Sequence, residues 1–187
     1  MATIGCQGAL FLGFFLTSII SGTAALVPSE NDRPGYVDRA LSSRIIYAMM
    51  FGSLIARWLI LIPFKFIDTN RKVFILQLVN FLSNIFYFIY VFQANAVQAG
   101  RPTLFPLMDN IIVGFVGVSQ CVKAYCGSSS FGISASVLPT ATDRSQAANI
   151  LGLTLTVGMY AGIGLAFPVV ALITKPPEIP ANTTMGH

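Results

Sequence analysis

Residues 145–174, SQAANILGLTLTVGMYAGIGLAFPVVALIT, contain no Asp, Glu, Lys or Arg. A helix needs about 20 predominantly apolar residues to cross roughly 30 Å of bilayer hydrocarbon, and this run exceeds that. Gly158, Gly162 and Ala166 recur within it every four positions, a spacing that lets helix backbones approach closely in lipid. An open strand in lipid would leave its backbone donors and acceptors unpaired, so the run reads as a transmembrane helix.

The pattern repeats outward along the chain. The 187 residues are 55% hydrophobic and 10% charged, and the seven acids and eleven bases fall in clusters between uncharged runs. A soluble domain carries about 25% charged residues. The runs predict an all-α, multi-pass transmembrane bundle over 1–175, with five spans at about 4–27, 45–66, 73–97, 104–124 and 146–174. Residues 125–138 are uncharged but short and rich in Gly and Ser, and are read as a broken continuation of the fourth span or a half-span. Residues 176–187 form a polar C-terminal tail. Asp143, followed by Gln146, reads as the N-cap and N3 partner that open the fifth helix.

This composition excludes a disordered chain, a disulfide-framed secreted domain and a nucleic-acid module. With five spans, Lys65, Arg71, Lys72, Lys123 and Arg144 share one side, and Arg33, Arg39, Arg44, Arg101 and Lys175 the other. Five bases against five give no positive-inside bias. The first base is Arg33, so the first span lacks the cationic start of a secretory signal and is read as retained. Cys6, Cys121 and Cys126 read as small buried thiols. The sequon Asn182-Thr183-Thr184 sits almost at the end of the chain. The only histidine is His187, and the sequence shows no paired carboxylates, no Cys/His metal spacing, no nucleophile elbow and no phosphate loop. No catalytic residue, metal or cofactor is therefore expected; bound lipids between spans are.

The first span carries Gly5, Ala9, Gly13, Thr17, Ser21 and Ala25, all small and four apart. Such a row drifts by about 40° per step around a 3.6-residue helix, the geometry of right-handed close crossings. It predicts packing, together with Gly158, Gly162 and Ala166, either within the bundle or against another subunit. In the third span Phe81, Phe86, Tyr87, Phe88, Tyr90 and Phe92 read as lipid-facing, with the Tyr87 and Tyr90 hydroxyls near the membrane interface.

Ionisable side chains within spans are functional candidates. Arg57 falls about 18 Å into the second span, near its middle, and Asp109 about 7.5 Å into the fourth. Both side chains lean toward the same side of the membrane, which predicts an intramembrane Arg57–Asp109 ion pair.

The segment Phe51-Gly52-Ser53-Leu54-Ile55-Ala56-Arg57 resembles the Asp-x-x-Gly-Arg motif of the equilibrative nucleoside transporter family. Ser53 stands at the aspartate position and Ala56 at the glycine. Ser145-Gln146-Ala147-Ala148-Asn149-Ile150, with Gly158 and Gly162 beyond, is similar to the opening and glycine-rich body of that family's last span. The resemblance implies the C-terminal five-span half of such a transporter, with Arg57 at the motif arginine and the neighbouring aspartate missing. Alternating access needs two bundles around a shared midplane site, and five spans supply one. The expectation is a non-catalytic accessory subunit bound to other membrane subunits and lipids. Its setting would be a respiratory complex or ATP synthase of the mitochondrial inner membrane. The alternative is a transporter or half-transporter of nucleosides or another small polar solute. Its cavity would draw on Arg57, Asn80, Ser83 or Asn84, and Ser119 or Gln120.

Overall fold

The uncharged runs become helices in the computed structural model, which describes residues 3–24, 27, 39–62, 67–98 and 108–173. The described residues form six helices: α1 (Ile4–Ala24), α2 (Arg39–Leu61), α3 (Asn70–Ser83), α4 (Ile85–Gln98), α5 (Asp109–Val137) and α6 (Ala141–Ile173). The described residues contain no strand. α3 and α4 are two parts of one apolar stretch over Asn70–Ala96, so five stretches are long and apolar enough to cross a membrane. The chain is an all-α, multi-pass integral membrane protein.

Close approaches fix the direction of each helix. Gly5, Gly8 and Gly13 of α1 meet Asn70, Phe74 and Gln77 of α3 in ascending order, so α1 and α3 run parallel. Gly158 and Gly162 of α6 meet Phe11 and Phe15, and α6 is parallel to α1 as well. Gly127 meets Leu10 while Gly13 meets Lys123, so α5 runs the other way. Gly117 lies against Ala48, and Cys121 against Gly52; α2 and α5 are therefore parallel. Neighbouring spans alternate in direction, as a five-pass chain requires.

α1 is the hub, in contact with α3, α5 and α6, while α2 is carried chiefly by α5. Two apolar cores stack along the bundle. One gathers Cys6, Leu10, Val73, Cys126, Ile133 and Leu151 around the start of α1. The other gathers Ile20, Leu41, Ile45, Tyr87, Tyr90, Ile112 and Val116 around its end.

Several expectations change. The stretch 125–138 is neither broken nor a half-span: α5 runs unbroken through it to Val137. Its serines hydrogen-bond to their own helix, Ser130 to the Cys126 carbonyl and Ser136 to the Ile133 carbonyl, each at 2.8 Å. Such back-bonding satisfies hydroxyls in an apolar medium without ending the helix. The cap of α6 is Thr140, whose hydroxyl accepts from the Asp143 amide at 3.1 Å. Asp143 is thus in the first turn, where its charge suits the helix N-terminus.

The third span is interrupted at Asn84, which sits between α3 and α4. The Asn84 side chain donates to the Asn80 carbonyl at 2.6 Å, and Ser83 to the Val79 carbonyl at 2.8 Å. Side chains competing for main-chain carbonyls in this way are a recognised cause of helix bending. Pro168 lies inside α6. It offers no N–H to the Gly164 carbonyl, and Gly164 has open space at its Cβ position.

The Tyr87 and Tyr90 side chains do not face lipid or water. They are 0% and 2% exposed, because each hydroxyl finds a partner inside: Tyr87 pairs with Thr23 at 3.1 Å, and Tyr90 donates to Asp109. Among the cysteines, Cys6 and Cys126 are buried, Cys121 is half-buried, and all three are free thiols.

Candidate functional site

Between the two apolar cores lies a polar layer. Its residues fall within about two helix turns on each span: Gly13 and Thr17 of α1, Gln77, Asn80 and Asn84 of the third span, and Ser119, Gln120 and Lys123 of α5. Asn80 donates to the Ser119 carbonyl at 3.2 Å and Asn84 to the Ser119 hydroxyl at 2.8 Å. Thr17 donates to the Gly13 carbonyl at 2.8 Å and pairs with Gln120 at 3.3 Å. Glycine at position 13 makes room for this layer. A Cβ there would stand 3.0 Å from Lys123 Cγ and 3.2 Å from Gln77 Nε2. Gln77 is fully buried, and neither atom of its amide has a hydrogen-bond partner among the described residues.

Lys123 is the centre of the site. It is the fifteenth of the 29 residues of α5, so it lies at mid-helix rather than at the end of a span. Its ammonium sits 3.9 Å from the centroid of the Phe14 ring, an attraction between a cation and an aromatic face. α1 and α5 form a floor here, and α2 and α6 stand on either side as walls. Three cavities share Lys123. One of 300 Å³ holds Arg57, Ser53 and Ser128 around it. One of 660 Å³ runs along α2, lined by Arg57, Met49, Met50, Phe51 and Leu54. One of 730 Å³ runs along α6, lined by Met159, Ile163, Phe167 and Val170.

Arg57 and Asp109 do not meet. α2 and α5 are parallel, so depth on both is counted from the same end. Asp109, the first residue of α5, is level with Arg44, which approaches it at 3.7 Å. Arg57 lies thirteen residues, about 20 Å, farther along α2. It is also only four residues from Leu61, where α2 ends, five residues short of the predicted span. Asp109 is 2% exposed and held by Tyr90 and Arg44, with Arg44 donating also to Asn110 at 3.2 Å.

The stripe of α1 winds across several neighbours. Gly5 lies against Asn70, Ala9 is buried, Gly13 and Thr17 enter the polar layer, and Ser21 lines the groove beside α6. Ala25 lies outside the described residues, as do the tail 176–187 and the sequon. Gly158 and Gly162 sit on the Phe11 and Phe15 carbonyls, and Ala166 on Gly22. The polar set proposed for a solute cavity divides. Asn80, Asn84 and Ser119 bond to one another inside the bundle, Ser83 bonds to its own helix, and Arg57 and Gln120 line the α2 groove.

Sequence reasoning missed two features. The sequence puts Lys123 at the end of a fourth span over 104–124, whereas it lies in the middle of α5. The close contact of α2 with α5, where Gly52 lies on the Gly117 carbonyl, was also not anticipated. Its signal was available: Ala48, Gly52 and Ala56 repeat every four residues. Among the described residues no group of three or more His, Cys, Asp or Glu is placed to hold a metal. Comparison of the chain with protein-family models, curated proteins and solved structures finds no match.

Proposed function

We propose that the chain is a non-catalytic structural subunit of a larger membrane assembly. The observation that carries this reading is that buried polar groups of different helices bond to one another, with the Gln77 amide an exception. Thr17–Gln120, Thr23–Tyr87, Asn80–Ser119, Asn84–Ser119 and Tyr90–Asp109 all join one helix to another. Such bonds hold helices together in lipid, where no hydrophobic drive between them exists. Outward, α2 presents Tyr47, Met50, Phe51, Leu54 and Trp58, and α6 presents Leu153, Tyr160, Phe167 and Leu172. These faces are available to neighbouring subunits as well as to lipid. The proposed setting is an energy-transducing membrane, the mitochondrial inner membrane first, with a respiratory complex or ATP synthase as host. That setting rests on the kind of small multi-pass subunit such complexes gather.

Native-size chromatography in mild detergent tests the reading. The chain should elute with a set of other membrane proteins in fixed ratio, and reconstituted alone it should move no solute. Elution at the mass of one or two chains would remove the proposal.

One observation favours a second reading, a half-transporter of nucleosides or another small polar solute. The interruption at Asn84 lies inside the polar layer, and transporter sites are typically built at interrupted helices near mid-membrane. A second copy would have to close the groove. Uridine-dependent thermal stabilisation of the purified chain is the expected sign.

A further inference from the structure

The three cavities around Lys123 form one trough between α2 and α6. On α1 its lining extends from Leu10 to Gly22, about 18 Å at 1.5 Å per residue, so it follows the helix axes through more than half of a span. That lining includes Arg57 and Lys123 and no Asp or Glu. The acids among the described residues are Asp68, Asp109 and Asp143. Asp68 is bound to Lys72 at 2.6 Å ahead of α3, Asp143 is in the first turn of α6, and Asp109 is held by Tyr90 and Arg44 at the far end of the bundle. Lys123 lies against Gly13, the tenth of the 21 residues of α1, so its charge is at mid-membrane. A charged side chain at that depth is costly and normally pairs.

An occupant has to bring a negative charge to mid-membrane and fill an apolar trough along the helix axes. Thr17, Ser18 and Ser21 of α1 form part of the floor, and small residues of this kind let another helix backbone come close in lipid. The walls are apolar and exposed, with Met50, Phe51 and Leu54 on α2 and Ile163 and Phe167 on α6. A phospholipid does not meet these conditions, because its phosphate belongs at headgroup depth and not level with Gly13. Nor does a second copy of the chain. Its one described acid within a span is Asp109, already held by Tyr90 and Arg44, and its own Arg57 and Lys123 would repel. A transmembrane helix can carry a carboxylate at any depth.

We propose that this trough seats one transmembrane helix of a partner subunit, bearing an Asp or Glu near its middle that pairs with Lys123 and Arg57. Both cations line one cavity of 300 Å³, where Ser53 and Ser128 offer hydroxyls to the remaining carboxylate lone pairs. The partner backbone lies over Thr17, Ser18 and Ser21, between the walls of α2 and α6. Each charge then offsets the cost of placing the other in hydrocarbon. This inference rests on the subunit reading and gives the partner its chemistry.

The test is native mass spectrometry in mild detergent of the full-length chain, purified free of other proteins and titrated with a designed transmembrane peptide. The peptide is a Leu/Ala helix of about 21 residues with Trp at both ends and one Glu at its centre, and the controls carry Gln or Lys there. One Glu peptide should be retained per chain, with a preference of about tenfold over the Gln peptide, the order a polar pair between helices supplies in lipid. The Lys peptide should be excluded. Arg57→Gln with Lys123→Gln should abolish the preference. Arg57 is exposed, so Arg57→Gln alone should fold and lower the preference even if the double variant does not fold. Equal retention of the Glu and Gln peptides, retention of neither, or a preference surviving the double neutralisation in a folded chain would overturn the site. The two readings fail separately. A chain that elutes from membranes with other proteins yet ignores the Glu peptide remains a subunit and loses this site. A chain that elutes alone yet selects the Glu peptide keeps the site and loses the proposed host complex.

Discussion

At the scale of single residues, Asp109 and Gln77 show opposite uses of a buried polar group. Asp109 is buried and held from two sides, so Asp109→Ala removes an acceptor that Tyr90 and Arg44 share. Losing such a buried charged acceptor costs about 1–3 kcal/mol. Arg44 is 45% exposed, and Arg44→Ala should cost less than about 1 kcal/mol. Chemical unfolding of both variants in the same detergent checks the order, and equal losses would contradict it. Gln77 has a fully buried amide with no described partner. Gln77→Leu should raise stability by about 1 kcal/mol, since an unmade hydrogen bond leaves only the desolvation cost. Outside the membrane, the Lys72 ammonium donates to Asp68 and holds its carboxyl below the usual 3.8. A depressed carboxylate contributes stability above that value and loses it as pH falls through the lower folded-state value. Asp68→Asn should therefore unfold slightly earlier than the parent at neutral pH and together with it in strong acid. The sequence shows that Arg57 and Asp109 are intramembrane charges, but not their partners. Pairing depends on where each helix starts, and α2 starts six residues earlier than its hydropathy suggests.

At the scale of elements, glycine position separates contact from open space. A Cβ on Gly52 would run into the Gly117 carbonyl, and one on Gly162 into the Phe15 carbonyl. Backbone cannot swing aside as a side chain can. Gly52→Leu and Gly162→Leu should each cost about 1–3 kcal/mol or more, as overpacking does. Gly152 and Gly164 have nothing within 4 Å of the same point. Gly152→Ala should be neutral or stabilising by up to about 1 kcal/mol, because glycine weakens a helix interior. Thermal unfolding of the three variants separates the classes, and a uniform response would mean that helix contacts do not govern stability. The every-fourth-residue rows of α1 and α6 are legible in sequence because small residues stand out there. The row of α2 is masked by the bulky Met49, Met50 and Phe51 between its members. The length of α5 was illegible for another reason. Gly and Ser ordinarily weaken helices, yet Ser130 and Ser136 satisfy themselves on their own helix, and small residues let α5 approach the start of α1.

At the scale of the whole molecule, the parity of the spans has a consequence that hydropathy and charge leave unresolved. The basic residues give no orientation, but the helix directions relate the two ends to each other. α1, α3 and α6 start at one face, and α2 and α5 start at the other. The third span counts once, because the interruption at Asn84 does not turn the chain back: Tyr87 still meets Thr23 near the end of α1, and Tyr90 meets Asp109 at the start of α5. An odd number of crossings places the start of α1 and the end of α6 on opposite sides of the membrane. An epitope joined ahead of α1 and another joined beyond α6 should therefore differ in protease access in sealed vesicles. One should be cleaved at once and the other only after permeabilisation. Simultaneous cleavage of both would mean that a predicted crossing does not cross, and the stretch to suspect is Asn70–Ala96, whose two halves each fall short of a full span. Asn84→Leu provides the control. Replacing the side chain that competes for the Asn80 carbonyl should straighten that stretch without changing which epitope is shielded, while the loss of the Ser119 bond should lower stability by about 1 kcal/mol. A change in shielding would show that the polar layer, rather than the length of the apolar runs, sets the number of crossings.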